Sequence, residues 1–455
     1  MSRRAAIFGA ALAAALVVTG CGADEKDGGN GGEGGGGSES SAVDAALLGK
    51  VPTPEVSEMA GAMGMWTTEK NFVKAGLKKI SGYPLTGGKA EWEIPLGGEV
   101  CWSSPQATED GLVAVLFQND KDDPAVCTEV GLVDITKGRL LWQKQGLNSY
   151  GDRQMFDEVT IGGGTVAAAG TSASAGWTTG GKPLWTPAAT EDEKCPAKGF
   201  AGEGEKLVVV RDCGDTDHPR LTLQTVDPAT RAVKSAYEFA RGTEDAHVVS
   251  ADPLVVAVDD GDSPGGSGIT EFLSLDDSAA RGKLLATIGT KGGKYGKYDA
   301  ECASTNVTNC SQLAVDKKTG TLFLGTRDAG AGSEGDNDVV ALDLKTGKKK
   351  GTTQGTDEGA LIPMGVDEGG KVVAYQEANI VGEAGGAVWR IDPATFEKTK
   401  VLQNPGRSYE MEARFETDRR LLFAGERLYL GADHVSEPSE VYKDKQPLAV
   451  VFGAK

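Results

Sequence analysis

At 455 residues and a net charge of −19, the chain is long enough for a large core and too acidic overall to favour nucleic acid or anionic membrane surfaces. Its three histidines, His218, His247 and His434, are a thin supply for metal or acid–base chemistry. Apolar residues come in short runs punctuated by Gly, Asp and Ser, the pattern of strands and turns.

The first residues read as a bacterial lipoprotein signal. Arg3 and Arg4 form a basic start, and residues 5–18 are a small apolar stretch too short to span a bilayer comfortably. Val18-Thr19-Gly20-Cys21 matches a lipobox, so residues 1–21 are expected to be signal and lipidation site. Cys21 then becomes a diacylglyceryl, palmitate-bearing N-terminus on the extracytoplasmic side of the cell membrane. Losing the two positive charges of Arg3 and Arg4 makes the mature chain −21. Residues 22–41 are Gly, Glu, Asp and Ser with almost nothing apolar, and read as a disordered tether. Residues 42–82 carry Met59, Met63 and Met65 with Trp, Phe and Leu at mixed helical spacing. One or two short helices, or an extended segment packed on the flank of the main domain, are expected there.

From residue 83 to 455 a turn signature repeats. It is cleanest in LVDITKGRLLWQ (132–143), where a β-rich run ends in Asp134, a polar turn follows, and Trp142 opens the next strand. The Thr-to-Trp spacing recurs at Thr86…Trp92 and Thr179…Trp185, with weaker copies at 226–233, 342–351 and 391–400 and a degenerate one at 273–285. Turn-opening positions are Pro84, Asp134, Trp177, Asp227, Asp276, Asp343 and Asp392. Most intervals are close to the length of a four-stranded propeller blade, and the one from Asp276 to Asp343 is the longest. The predicted fold is therefore all-β: a β-propeller of seven four-stranded blades, with eight as the alternative. The C-terminal runs at 420–424, 427–431 and 447–453 supply three strands of the last blade, and residues 91–95 are expected to supply the fourth and close the ring.

Apart from Cys21 there are six cysteines, Cys101, Cys127, Cys195, Cys213, Cys302 and Cys310. An even set in an exported chain favours disulfides. Each sequential pair, Cys101–Cys127, Cys195–Cys213 and Cys302–Cys310, falls within one repeat unit, and none has CxxC spacing.

The repeat, in LVDITKGRLLW, TGGKAEW and TGGKPLW, resembles the PQQ-like β-propeller repeat family, which includes quinoprotein dehydrogenase propellers and BamB-like lipoproteins. Lys137 stands where that family's Gly would follow Thr136. The quinoprotein resemblance implies PQQ on a Trp floor beneath a disulfide of adjacent cysteines, with calcium and an Asp base. This sequence has no adjacent cysteine pair, no CxxCH site and no complete set of Trp-docking repeats. No catalytic residue, cofactor site or metal site is therefore assigned. The acidic run Glu334, Asp336 and Asp338 lacks the spacing of a defined calcium loop and reads as solvated.

The expectation is a monomeric, lipid-anchored extracytoplasmic propeller that is not an enzyme and binds a protein or cell-envelope component through its loops. A small-ligand sensor is the alternative, and a quinoprotein-type or other propeller enzyme comes third.

Overall fold

The computed structural model describes residues 42–121, 124–148, 150–170, 173–186, 194–215, 218–261, 268–291, 297–302, 306–327, 337–415, 419–437 and 446–455. Cys21, the tether, Glu334 and Asp336 lie outside them.

Eight four-stranded antiparallel sheets follow one another along the chain and form the blades of a ring. Seven are contiguous in sequence. Their first strands are Met65–Thr67 (blade 1), Val100–Ser103 (blade 2), Glu158–Gly162 (blade 3), Ala197–Glu203 (blade 4), Asp245–Ala251 (blade 5), Leu313–Asp316 (blade 6) and Leu361–Val366 (blade 7). Blade 8 takes Arg419–Ala424, Arg427–Ala432 and Ala449–Gly453 from the C-terminus and Ala46–Val51 from the N-terminus. First strands pack on the first strands of neighbouring blades, so they line the central channel. The second strands, such as Leu112–Gln118, Lys206–Asp212 and Leu254–Asp259, are the most apolar and almost wholly buried. A sheet covered on both faces by its neighbours needs such continuous apolar runs.

The count is eight blades, the alternative of the sequence reading, and the reason is topological. Blade 8 has no turn between its third and fourth strands, because the two chain ends meet there. Counting turn signatures therefore finds one fewer than the number of blades. The closing strand is Ala46–Val51, paired with Ala449–Gly453, whereas Trp92–Pro95 is the outer strand of blade 1. Residues 42–82 accordingly form strands of blades 1, 7 and 8 instead of helices. Val43–Asp44 adds a fifth, parallel strand to blade 7 before the chain crosses to blade 8.

The repeated turn is an aspartate-capped hairpin. Asp134 Oδ1 accepts from the Thr136 and Lys137 amides and the Thr136 hydroxyl. Asp227, Asp343 and Asp392 do the same with Thr230, with Lys345 and Thr346, and with Ala394 and Thr395. Burial pushes the Asp134 carboxyl up, but Lys137 and Thr136 outweigh it and hold its pKa at about 2. The Lys371 ammonium and the Ala394 and Thr395 amides bring Asp392 to about 2 as well.

Adjacent blades interlock through this turn. Trp92 of blade 1 lies over Gly138 in the turn of blade 2, where a Cβ would sit 2.5 Å from the indole. Trp142 of blade 2 meets Gly181 in the turn of blade 3 and donates its Nε1–H to the Thr179 carbonyl at 2.9 Å. Trp185 of blade 3 packs under the Arg231 guanidinium in the turn of blade 4, at 5.1 Å. Between blades 6 and 7 the sizes are exchanged: Gly351 holds the Trp position and Phe396 the glycine position, with a prospective Gly351 Cβ 2.1 Å from the ring. Ring closure follows the same rule, since Gly49 of the closing strand abuts Thr86 and Gly87 in the turn of blade 1.

Candidate functional site

In an antiparallel blade the connections from fourth to first strand and from second to third strand open on one face of the ring, and the hairpin turns open on the other. The long interval between Asp276 and Asp343 places its insertion, residues 290–312, on the first face, between blades 5 and 6. A disulfide joins Cys302 to Cys310 at its tip. Cys101–Cys127 and Cys195–Cys213 are likewise joined, at the strand ends of blades 2 and 4 on that same face. Of the former acidic trio, Asp338 accepts from the Gly355 amide next to blade 6. Among the described residues, no group of three His, Cys, Asp or Glu side chains gathers in a metal-holding arrangement.

The inserted segment runs into the channel mouth. Asn306, Val307 and Thr308 are all buried against first strands of blades 3, 4 and 5. Glu158 Oε2, on blade 3, accepts from the Val307 amide at 3.0 Å, the Thr308 amide at 3.2 Å and the Thr308 hydroxyl at 3.3 Å. The Asn306 side-chain amide donates to the Asp157 carbonyl at 3.1 Å. On blade 5 the His247 Nδ1 meets the Asn306 carbonyl at 2.6 Å, and the Val248 amide donates to the Val307 carbonyl at 2.7 Å. The space left by Gly199 of blade 4 is shared by the Glu158 carboxyl, whose Oε1 a Cβ there would meet first, and by the Val307 side chain, whose methyl it would meet at 2.6 Å. Across the channel, Arg420 of blade 8 donates to Asn309 Oδ1 at 2.9 Å.

The electrostatics of this mouth are those of buried polar groups: Glu158 Oε2 takes all three donors, and Oε1 is buried without a hydrogen-bond partner. Burial pushes the Glu158 carboxyl up to about 8, against the pull of the Thr308 and Val307 donors. It also lowers His247, against the Asn306 carbonyl, so the imidazole is neutral near pH 7 and donates from Nδ1. The Arg420 guanidinium forms a two-pronged pair with Asp433, at 3.1 and 3.0 Å. Beside them Lys74 is wholly buried, with its ammonium on the carbonyls of Ala62, Gly64 and Ala75. Burial brings it down to about 7, with Asp433 opposing. This group ties the segment entering blade 1 to blade 8.

These residues do not fit a PQQ site. Where the resemblance implies a quinone between a Trp floor and an adjacent-cysteine disulfide, peptide fills the channel mouth, and Trp92, Trp142 and Trp185 pack between blades at the outer strands. Sequence reasoning placed none of Glu158, His247, Arg420 or Asn306–Thr308 in a site. The available signal was the one long interval in an otherwise even repeat.

The fold and its turns define an eight-bladed β-propeller. No protein-family model and no curated protein matches the chain. Among solved structures it is similar to BamB from Moraxella catarrhalis, at 12% identity over 91% of this chain and 99% of that one, with a TM-score of 0.45. It is also similar to the quinohemoprotein alcohol dehydrogenase ADHIIG from Pseudomonas putida HK5, at 11% identity over 90% and 76% with a TM-score of 0.47. A third is the hydrazine synthase of Kuenenia stuttgartiensis, at 14% identity over 74% and 97% with a TM-score of 0.43.

Proposed function

We propose that the chain is a lipid-anchored, extracytoplasmic binding module that recognises a protein or cell-envelope component through the face carrying the inserted segment. The observation that carries this reading is the distribution of exposed apolar side chains. Met59, Leu147, Tyr150, Met155, Ile380 and Val381 all sit in connections on that face, with Tyr150 81% and Val381 84% exposed. The other large exposed apolar residues among those described lie on outer strands at the rim. Rigid loops presenting separated apolar tips suit recognition of a surface. The filled channel mouth favours this over a small-ligand sensor, and the lipobox at Cys21 motivates the anchor.

Photo-crosslinking side chains placed at Tyr150 and Val381, and at Lys137 and Lys345 in turns on the opposite face, test the reading in cells. A discrete adduct from the first pair alone is expected. Adducts from the turn positions, or none from either pair, would sink it. The anchor is checked separately: Cys21→Ser should abolish palmitate labelling, and undiminished labelling removes lipidation from the proposal.

A further inference from the structure

The contacts at the channel mouth are those of peptide recognition. The groups of residues 306–308 that blades 3 and 5 engage are two main-chain carbonyls, two main-chain amides, one carboxamide and one hydroxyl. A single small aliphatic side chain, Val307, enters the space beside Gly199, against the Glu158 carboxyl. The blade residues committed to this are Glu158 and His247, both buried polar groups on channel-lining strands. Apolar packing alone would hold a loop without the desolvation cost of burying a carboxyl and an imidazole. The held segment is an insertion outside the propeller repeat, so the ring does not need it for closure.

We infer that the channel mouth is a peptide-binding seat, occupied in cis by residues 306–308, and that its ligand in trans is a partner segment bent in the same way, with a small aliphatic residue between Asn and Thr. The Cys302–Cys310 disulfide keeps the resident segment beside the seat, so a partner segment competes against a high local concentration. The inference deepens the binding reading above by naming the chemistry recognised, and it rests on that reading.

The test loosens the resident segment in the full-length chain with Asn306→Gly, Val307→Gly and Thr308→Gly, which remove its carboxamide, isopropyl group and hydroxyl and free its backbone to leave the seat, with both cysteines and the chain length intact. The probe is acetyl-Asn-Val-Thr-Asn-amide at roughly millimolar concentration, with acetyl-Thr-Asn-Asn-Val-amide as the scrambled control. The readouts are hydrogen exchange at the Val248 amide and the NMR signal of the His247 ring N–H. More frequent opening of the loosened segment should speed Val248 exchange about tenfold or more while Val256 in the blade core keeps its protection. The probe, and not the scrambled peptide, should then restore Val248 protection and shift the His247 signal.

A Val248 amide that stays protected in the triple variant, or that ignores the probe, or that responds equally to both peptides, overturns the inference. Should the triple variant not fold, Val307→Ala serves instead. There the probe must displace the weakened segment and speed exchange at Thr308, and no displacement overturns the inference equally. Cross-links on the loop face with no peptide binding would leave the binding reading standing and remove only the seat. Peptide binding without cross-links would do the reverse.

Discussion

At single residues the fold is held by positions where one atom more has no space. Gly138 is one: its φ is +61°, and an added Cβ would meet the Trp92 indole at 2.5 Å. Gly138→Val strains the backbone and displaces the ring together, so a loss of roughly 2–4 kcal/mol is expected, read as a lower urea midpoint. An unchanged midpoint would show that the blade 1–blade 2 seam yields freely. Glu158 poses a different constraint, through its charge. Burial raises it from 4.5 to about 8 in the fold, opposed by Thr308 and Val307. The folded state therefore binds the proton more tightly than the unfolded chain. The stability this contributes is fully present below about pH 4.5 and is lost as pH rises through about 8. Other charges face the same mouth: Asp157 beside it, Lys198 and Asp245 near His247, and the Arg420–Asp433 pair beyond Asn309. Melting temperatures of the wild type should fall between pH 5 and pH 9 by more than those of Glu158→Gln, which has no proton to lose. Equal slopes would place the carboxyl in water and remove it from the seat.

At the level of elements, the unit is the turn of one blade and the outer strand of the blade before it. Trp-on-Gly at two seams, Trp185 under Arg231 at a third and the exchanged Gly351–Phe396 pair at another fill one and the same position. Phe396 accepts a φ of +63°, unusual for a bulky residue, to fill the space that Gly351 leaves. Gly351→Trp alone should cost about 1–3 kcal/mol by overpacking, and Phe396→Gly alone should cost a similar amount through the void. The double variant should recover much of both losses, giving a favourable coupling in a double-mutant cycle. Additive losses would mean the two positions do not share a space. This unit explains why most of the fold was legible. The Asp-Thr-Gly turn and its Trp are local chemistry at fixed offsets, so LVDITKGRLLW announces a hairpin by itself. The strands of residues 65–84 were not legible: Met65–Thr67 is only three residues long, too short for alternation to show, and its Met and Trp suit either period. The seat was hidden for a related reason. Glu158 and His247 lie about ninety residues apart, and only the ring brings both to Asn306 and Val307.

For the whole molecule the decisive contact is the one between chain ends. A ring of blades has no free edge only if the last sheet is completed, and here Ala46–Val51 completes it on Ala449–Gly453, all five of whose residues are buried. That arrangement makes the N-terminal segment part of the core ring even though the chain approaching it reads as tether. Removing residues 1–51 should therefore do far more than trim a terminus. It leaves the Ala449–Gly453 edge unpaired, uncovers apolar side chains such as Val451 and Phe452, and loses the Gly49 contact with the blade 1 turn. The expected cost is on the order of 5 kcal/mol from lost ladder bonds and aliphatic burial, with a concentration-dependent tendency to associate through the open edge. Calorimetry should show a lower and less cooperative transition, and a synthetic peptide of residues 46–51 added in excess should raise it again. Removing only residues 1–41 should leave the transition where it was. If the two truncations melt alike, closure by the N-terminal strand contributes little, and the ring is held by its seams alone.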